Sequence, residues 1–200
     1  MKNNISIIFI LVVAPYLYLF PHTFQFIEMG NDFELLYYSY KKYIFEFVKI
    51  GKLPLWSPSE ALGYTLLFNP FAQYFYLPSW LLYSLGLLIG DLSKHTYFLY
   101  TIFGLSIYNV GQYFWLRKLN IDKKYCLLAT IITCFGLKLT EILRFPNAVH
   151  TFAWFPWILY SITLSLQNSK TIKSSIIILI STLMVLTAGY PYYILYGFIL

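Results

Sequence analysis

The stretch GNDFELLYYSYKKYIFEFVKIGKLPLWSPSEALGYTLLFNPFAQYFYLP, Gly30 to Pro78, decides how the chain is read. An acidic pair, Asp32 and Glu34, opens it. A helix is expected over residues 33–50. At 100° per residue, Phe33, Leu36, Tyr37, Tyr40, Ile44 and Phe47 share one face, and Glu34, Lys41, Lys42, Glu46 and Lys49 take the other. Asn31 reads as its N-cap with Glu34 as the reciprocal partner of a capping box, and Asp32 suits the positive end of the helix dipole. Gly51 ends the helix and Pro54 enforces the stop. An aromatic segment follows, broken by Asn69, Pro70, Pro78, Gly86 and Gly90, with room for a short helix from Ser79 to Leu88.

Composition places this stretch in an apolar chain. Hydrophobic residues make up 59% and charged residues 11%, less charge than the surface of an ordinary 200-residue soluble domain carries. The reading that follows is an integral membrane protein. Tyr (20), Phe (18) and Trp (5) are abundant, as in aromatic belts at a headgroup interface. The net charge of +6 is scattered over loops, not drawn into the stripe that nucleic acid requires, so no nucleic-acid partner is expected. Cys126 and Cys134 are eight residues apart, about 12 Å along a helix, too far for a disulfide. They read as packing residues, and no Cys/His metal cluster is visible.

The expected architecture is all-α: a polytopic transmembrane bundle with residues 1–200 as one domain. A first span covers residues 5–20, and an outer loop covers 21–95. That loop holds the amphipathic helix in the interface and a re-entrant segment at 62–90. Spans follow at about 96–116, 125–143, 150–167 and 174–189, and the last, 190–200, is cut short, as if the chain were the N-terminal part of a longer protein. Arg117-Lys118 with Lys123-Lys124, and Lys170 with Lys173, read as cytoplasmic hinges. That parity places Asp32, Glu34, Glu60, Arg144, His150 and Tyr190 on the opposite, outer face.

An ionisable group at a membrane face is a site candidate. Asp32 is the first choice, as general base toward a hydroxyl or as an oxygen ligand for a divalent cation; Glu34, which the helix start explains well, is secondary. Arg144 and His150 form a candidate phosphate site, since arginine offers a planar fork and histidine a further donor. An ordinary outer loop meeting lipid phosphate explains them too. Trp56, between Pro54 and Pro58, and Tyr190, before Pro191, read either as interfacial anchors or as stacking platforms for a sugar.

The spaced features Gly30-Asn31-Asp32, Tyr37-Tyr38-Ser39-Tyr40, Gly51-Lys52-Leu53-Pro54-Leu55-Trp56-Ser57-Pro58, Gly63, Asn69-Pro70 and Tyr76-Leu77-Pro78 continue into Arg144-Phe145-Pro146, His150, Trp154-Phe155-Pro156-Trp157 and Ala188-Gly189-Tyr190-Pro191. Together they resemble the N-terminal part of YfhO-like bacterial membrane proteins, within the GT-C glycosyltransferase superfamily. The resemblance implies a GT-C-like fold in the bacterial cytoplasmic membrane, facing outward. It implies transfer of a sugar from a polyprenyl-phosphate donor to a cell-envelope acceptor. Asp32 stands at the position of the superfamily's catalytic aspartate, and metal dependence varies among members. Two other readings need no base: a transporter or flippase for a lipid-linked sugar, and a noncatalytic membrane scaffold whose charges are substitutable.

Overall fold

The computed structural model describes residues 2–58, 63–136, 141–167 and 171–199, and it is predominantly helical. Helix α1 (Lys2–Tyr18) leads into a short α2 (Phe20–Thr23). A π-helical segment, Phe33–Tyr38, runs directly into α3 (Ser39–Lys49). A two-stranded antiparallel hairpin follows, with Trp56 opposite Thr65 and Ser57 opposite Tyr64. A 3-10 turn at Pro70–Ala72 precedes α4 (Leu77–Ile89), which contains the helix expected at Ser79–Leu88. Then come α5 (Lys94–Lys118), α6 (Lys123–Cys134), a 3-10 turn at Ile142–Arg144, α7 (Pro146–Phe152), α8 (Phe155–Gln167), α9 (Thr171–Thr187) and α10 (Pro191–Ile199).

Helix α5 is the axle of the molecule, touching α1, α4, α6, α7 and α8. Ser93 caps it by accepting from the Thr96 N–H at 3.1 Å. Two glycines let its neighbours come close. A Cβ on Gly104 would stand 2.9 Å from Val149 Cγ1, and one on Gly111 would stand 2.6 Å from Trp157 Nε1. Trp157 uses the approach to donate to the Ile107 carbonyl at 3.0 Å. Against α1 the contact is polar. Pro15 has no N–H for the carbonyl four residues back, Leu11, and Asn109 Nδ2 of α5 donates to that oxygen at 3.1 Å.

This architecture corrects the transmembrane reading. No helix among the described residues is long and apolar enough to cross a membrane. Helices α1 and α9 have 17 residues each, about 25 Å at 1.5 Å per residue, against about 30 Å of hydrocarbon. Helix α5 is long enough, but it carries Lys94, Asn109, Gln112, Arg117 and Lys118. The span expected at 125–143 stops as a helix at Cys134, and the one at 150–167 is broken between Phe152 and Phe155. The polytopic bundle and the multi-pass placement in a cytoplasmic membrane, with its inner and outer faces, therefore do not stand.

The face assigned to residues 33–50 is also corrected. The buried residues are Phe33, Tyr37, Lys41, Ile44 and Phe45, so Lys41 lies on the inner side. The π-helical turn is the cause. It inserts a residue per turn, so a spacing of four stays in register from Phe33 through Tyr37 to Lys41. The helix packs on the protein's own core, against α4 and the 3-10 turn at Pro70–Ala72, rather than lying alone in an interface. Residues 63–89 are a strand, a 3-10 turn and α4 rather than a re-entrant loop.

Candidate functional site

Three of the residues singled out by sequence converge. Asp32, Arg144 and Tyr190 sit around Tyr37 and Phe145. The Phe145 ring lies between the two phenols, its centroid 6.3 Å from that of Tyr37 and 6.1 Å from that of Tyr190. The Arg144 guanidinium stands 4.7 Å above the same ring. Asp32 and Arg144 are both exposed, so the cluster opens to its surroundings. Burial pushes the Tyr37 phenol up from its ordinary value, and the Tyr190 phenol and the Asp32 carboxylate push it further. Burial also raises Tyr190, with smaller contributions upward from Tyr193 and Tyr192, downward from Arg144 and upward from Asp32.

Asp32 immediately precedes the π-helix. Asn31 takes a left-handed φ of 51°, and its carbonyl accepts from the Glu34 and Leu35 N–H groups at 3.0 and 2.9 Å. The expected capping box gives way to a different arrangement. The Glu34 carboxylate reaches Lys94 Nζ at 3.3 Å, and Glu28 meets the same ammonium at 2.6 Å. Glu34 thus has a structural partner at the start of α5. Beside it, His22, Glu28, Phe33, Lys94, His95 and Phe98 line a cavity of about 210 Å³.

His150, expected to hold phosphate, is fully buried. Its Nε2–H donates to the Tyr100 carbonyl at 3.1 Å, and its Nδ1 accepts from the Tyr76 hydroxyl at 3.0 Å. The Tyr76 oxygen in turn accepts from Trp154 Nε1 at 2.9 Å. Both ring nitrogens are used, in the neutral tautomer, and burial with the nearby Lys41 lowers the imidazole to about 3. His150 therefore faces no phosphate here. Trp56 is exposed on the hairpin, with its indole packed 2.6 Å from where a Gly63 Cβ would be. It is not part of the Asp32 cluster. Glu60, placed on the same face by sequence, lies outside the described residues.

Beneath the cluster runs a buried polar network that sequence reading missed. Lys41 Nζ donates to the Ala72 carbonyl at 3.1 Å and to Ser79 Oγ at 2.9 Å. Burial holds its pKa well below the usual lysine value. Ser79 Oγ donates to Gln73 Oε1 at 3.1 Å and accepts from the Tyr100 hydroxyl at 3.1 Å. Gln73 Nε2 donates to the Ala188 carbonyl. Asn147 Nδ2 bridges the Phe71 and Gly189 carbonyls at 3.2 and 3.3 Å. The network pins the linker before Tyr190 onto the turn at Pro70–Gln73. The usable sequence signal was the Phe33–Tyr37–Lys41 spacing of four, which stays on one side of a helix and sets Lys41 beside the apolar residues rather than opposite them.

Among the described residues, no group of three or more His, Cys, Asp or Glu could hold a metal ion. The two cysteines are free and buried. Fold and cluster together define a helical protein with an exposed carboxylate and an exposed guanidinium gathered around the same aromatic rings. No family model, curated protein or solved structure matches the chain.

Proposed function

We propose that the chain is a glycosyltransferase of YfhO-like type, acting on a lipid-phosphate-linked sugar at the Asp32–Tyr37–Phe145–Tyr190–Arg144 cluster. The observation that carries this reading is the convergence of an exposed carboxylate and an exposed guanidinium from positions 32 and 144, with Tyr190 beside them. The Asp32 carboxylate takes the proton of an acceptor hydroxyl. The freed oxygen bonds to the anomeric carbon, the bond from that carbon to the phosphate oxygen breaks, and Arg144 receives the leaving phosphate in its planar fork. The half-buried Tyr190 ring offers a face for the sugar.

The test supplies a labelled polyprenyl-phosphate sugar to the full chain and follows label into acceptor, with wild type compared to Asp32→Asn at matched expression. Losing a general base lowers such a step by about 10²–10⁴-fold. Because Asp32 is exposed, the variant should fold normally. Equal transfer by both proteins removes Asp32 from the chemistry.

A further inference from the structure

The end of α5 remote from the Asp32 cluster carries a different feature. Lys94, at its start, meets Glu28 and Glu34, whereas Arg117 and Lys118 lie in its last turn. The helix has 25 residues, so the two ends are about 37 Å apart. After a tight turn in which Asn120 takes a left-handed φ of 62°, α6 begins with Lys123 and Lys124. Four cations and one carboxylate, Asp122, thus fall within residues 117–124. The turn is fixed, because Arg117 Nη1 donates to the Ile121 carbonyl at 2.7 Å and Cys126 of α6 is fully buried against α1 and α5.

The surroundings of this basic corner are apolar and uncovered. Ile7 and Leu127 join Asp122, Lys123 and Lys124 in lining an open hollow of about 470 Å³. Next to it Ile5 (67%), Phe9 (67%), Leu128 (55%) and Ile132 (63%) are exposed on α1 and α6. Tyr125 is exposed too, with the Lys124 ammonium 4.9 Å above its ring. A polyanion such as RNA would complement the charge and leave the bare Ile, Phe and Leu side chains in water. An acidic protein face would have to supply matched apolar pockets. Anionic lipid satisfies both halves at once, with phosphate against the lysines and hydrocarbon against the exposed side chains.

We infer that the Arg117–Lys124 corner, with the adjoining exposed faces of α1 and α6, is a docking surface for anionic phospholipid headgroups. The surface shares no residue with the Asp32 cluster and stands or falls independently of the proposed transfer reaction. Each cation near an anionic surface contributes about fivefold to partitioning. Two cations together contribute about 25-fold.

The experiment is co-flotation of the purified full chain with vesicles of phosphatidylcholine alone or of phosphatidylcholine with one-third phosphatidylglycerol, at low and high salt. The paired variant Lys123→Gln/Lys124→Gln is run beside the wild type, with its fold checked by circular dichroism. The expected result is tighter binding to the phosphatidylglycerol vesicles, weakened by salt and lowered about 25-fold in the variant. A single Lys124→Gln change, at an exposed position, should lower it about fivefold even if the double variant folds poorly. Equal binding to both vesicle types overturns the proposal, as does a Lys124→Gln protein that binds like the wild type. Displacement of the chain from vesicles by a single-stranded RNA oligonucleotide would overturn it in favour of a nucleic-acid surface.

Discussion

Gly189 is where the proposed site can be broken by a single methyl group. Its φ is +80°, and a Cβ built on it would stand 1.9 Å from the Pro70 carbonyl oxygen, 2.9 Å from Pro70 C and 3.0 Å from Asn147 Nδ2. Gly189→Ala therefore acts twice. The left-handed backbone costs an alanine about 1–2 kcal/mol. The clash is with backbone, which cannot swing aside as a side chain can. The linker must lift off the Pro70 turn, at an overpacking cost of about 1–3 kcal/mol. Lifting also weakens the bonds from Asn147 to Gly189 and from Gln73 to Ala188, each worth about 0.5–1.5 kcal/mol. The expected loss is about 3–6 kcal/mol, with Tyr190 displaced from Arg144. Gly90 supplies the control. Its φ is +89°, but nothing lies within 4 Å of an added Cβ. Gly90→Ala should then cost only the backbone term, about 1–2 kcal/mol. Denaturant unfolding of both variants, followed by circular dichroism, measures the difference. Equal destabilisation of the two would refute the close approach of the 188–190 linker to the Pro70 turn, and with it the structural support for Tyr190 in the site.

Three further outcomes follow from the buried groups and the cluster. His150 is lowered to about 3 in the fold, so between that value and its ordinary value near 6.5 the unfolded chain binds the extra proton. Stability therefore rises with pH across this window, by about 4 kcal/mol from pH 3.5 to neutrality, and unfolding midpoints that stay flat over that range would contradict the buried neutral imidazole. Lys41 is likewise depressed by burial, so stability keeps rising with pH toward the ordinary lysine value near 10.4. A Lys41→Met protein should lose this alkaline rise, and its persistence in the variant would show that another group is responsible. Arg144→Lys should lose most sugar transfer while unfolding like the wild type, since lysine cannot present a planar fork. Full transfer by that variant would reduce Arg144 to a diffuse charge.

Local signals were legible in the sequence where backbone chemistry dictates them. Gly90 marks a helix end, Pro70 and Pro78 mark turn and helix starts, and the short helix around Ser79–Leu88 follows from its apolar run. Hydrophobicity alone misled at larger scale. It joins residues 125–143 into one run, whereas the helix ends at Cys134. It also joins 150–167, whereas Ala153 and Trp154 separate two helices. Apolar content measures how much of a segment avoids water, not whether its backbone continues as one helix. Lys41 failed for a different reason. A periodicity of 100° per residue assumes a regular α-helix, and the π-helical turn at Phe33–Tyr38 rotates the following residues by most of one position. The same turn carries Tyr37 into the cluster, so the local irregularity that hid Lys41 also builds the site.

The division of labour between buried and exposed polar groups explains how such a site can be held without losing its reactive charges. Lys41 and His150 have no carboxylate among their bonded partners, and burial disfavours the charged form of both. A neutral network avoids the desolvation cost of buried charge while still fixing the relative positions of α3, α4, α5, α7 and the 188–190 linker. Asp32 and Arg144 stand above it, exposed, and their two ends of the chain are fixed through Tyr37 and Phe145. Charging the network would weaken that support. Acid should therefore weaken the fold through His150, because the unfolded chain takes up the proton that the buried imidazole refuses.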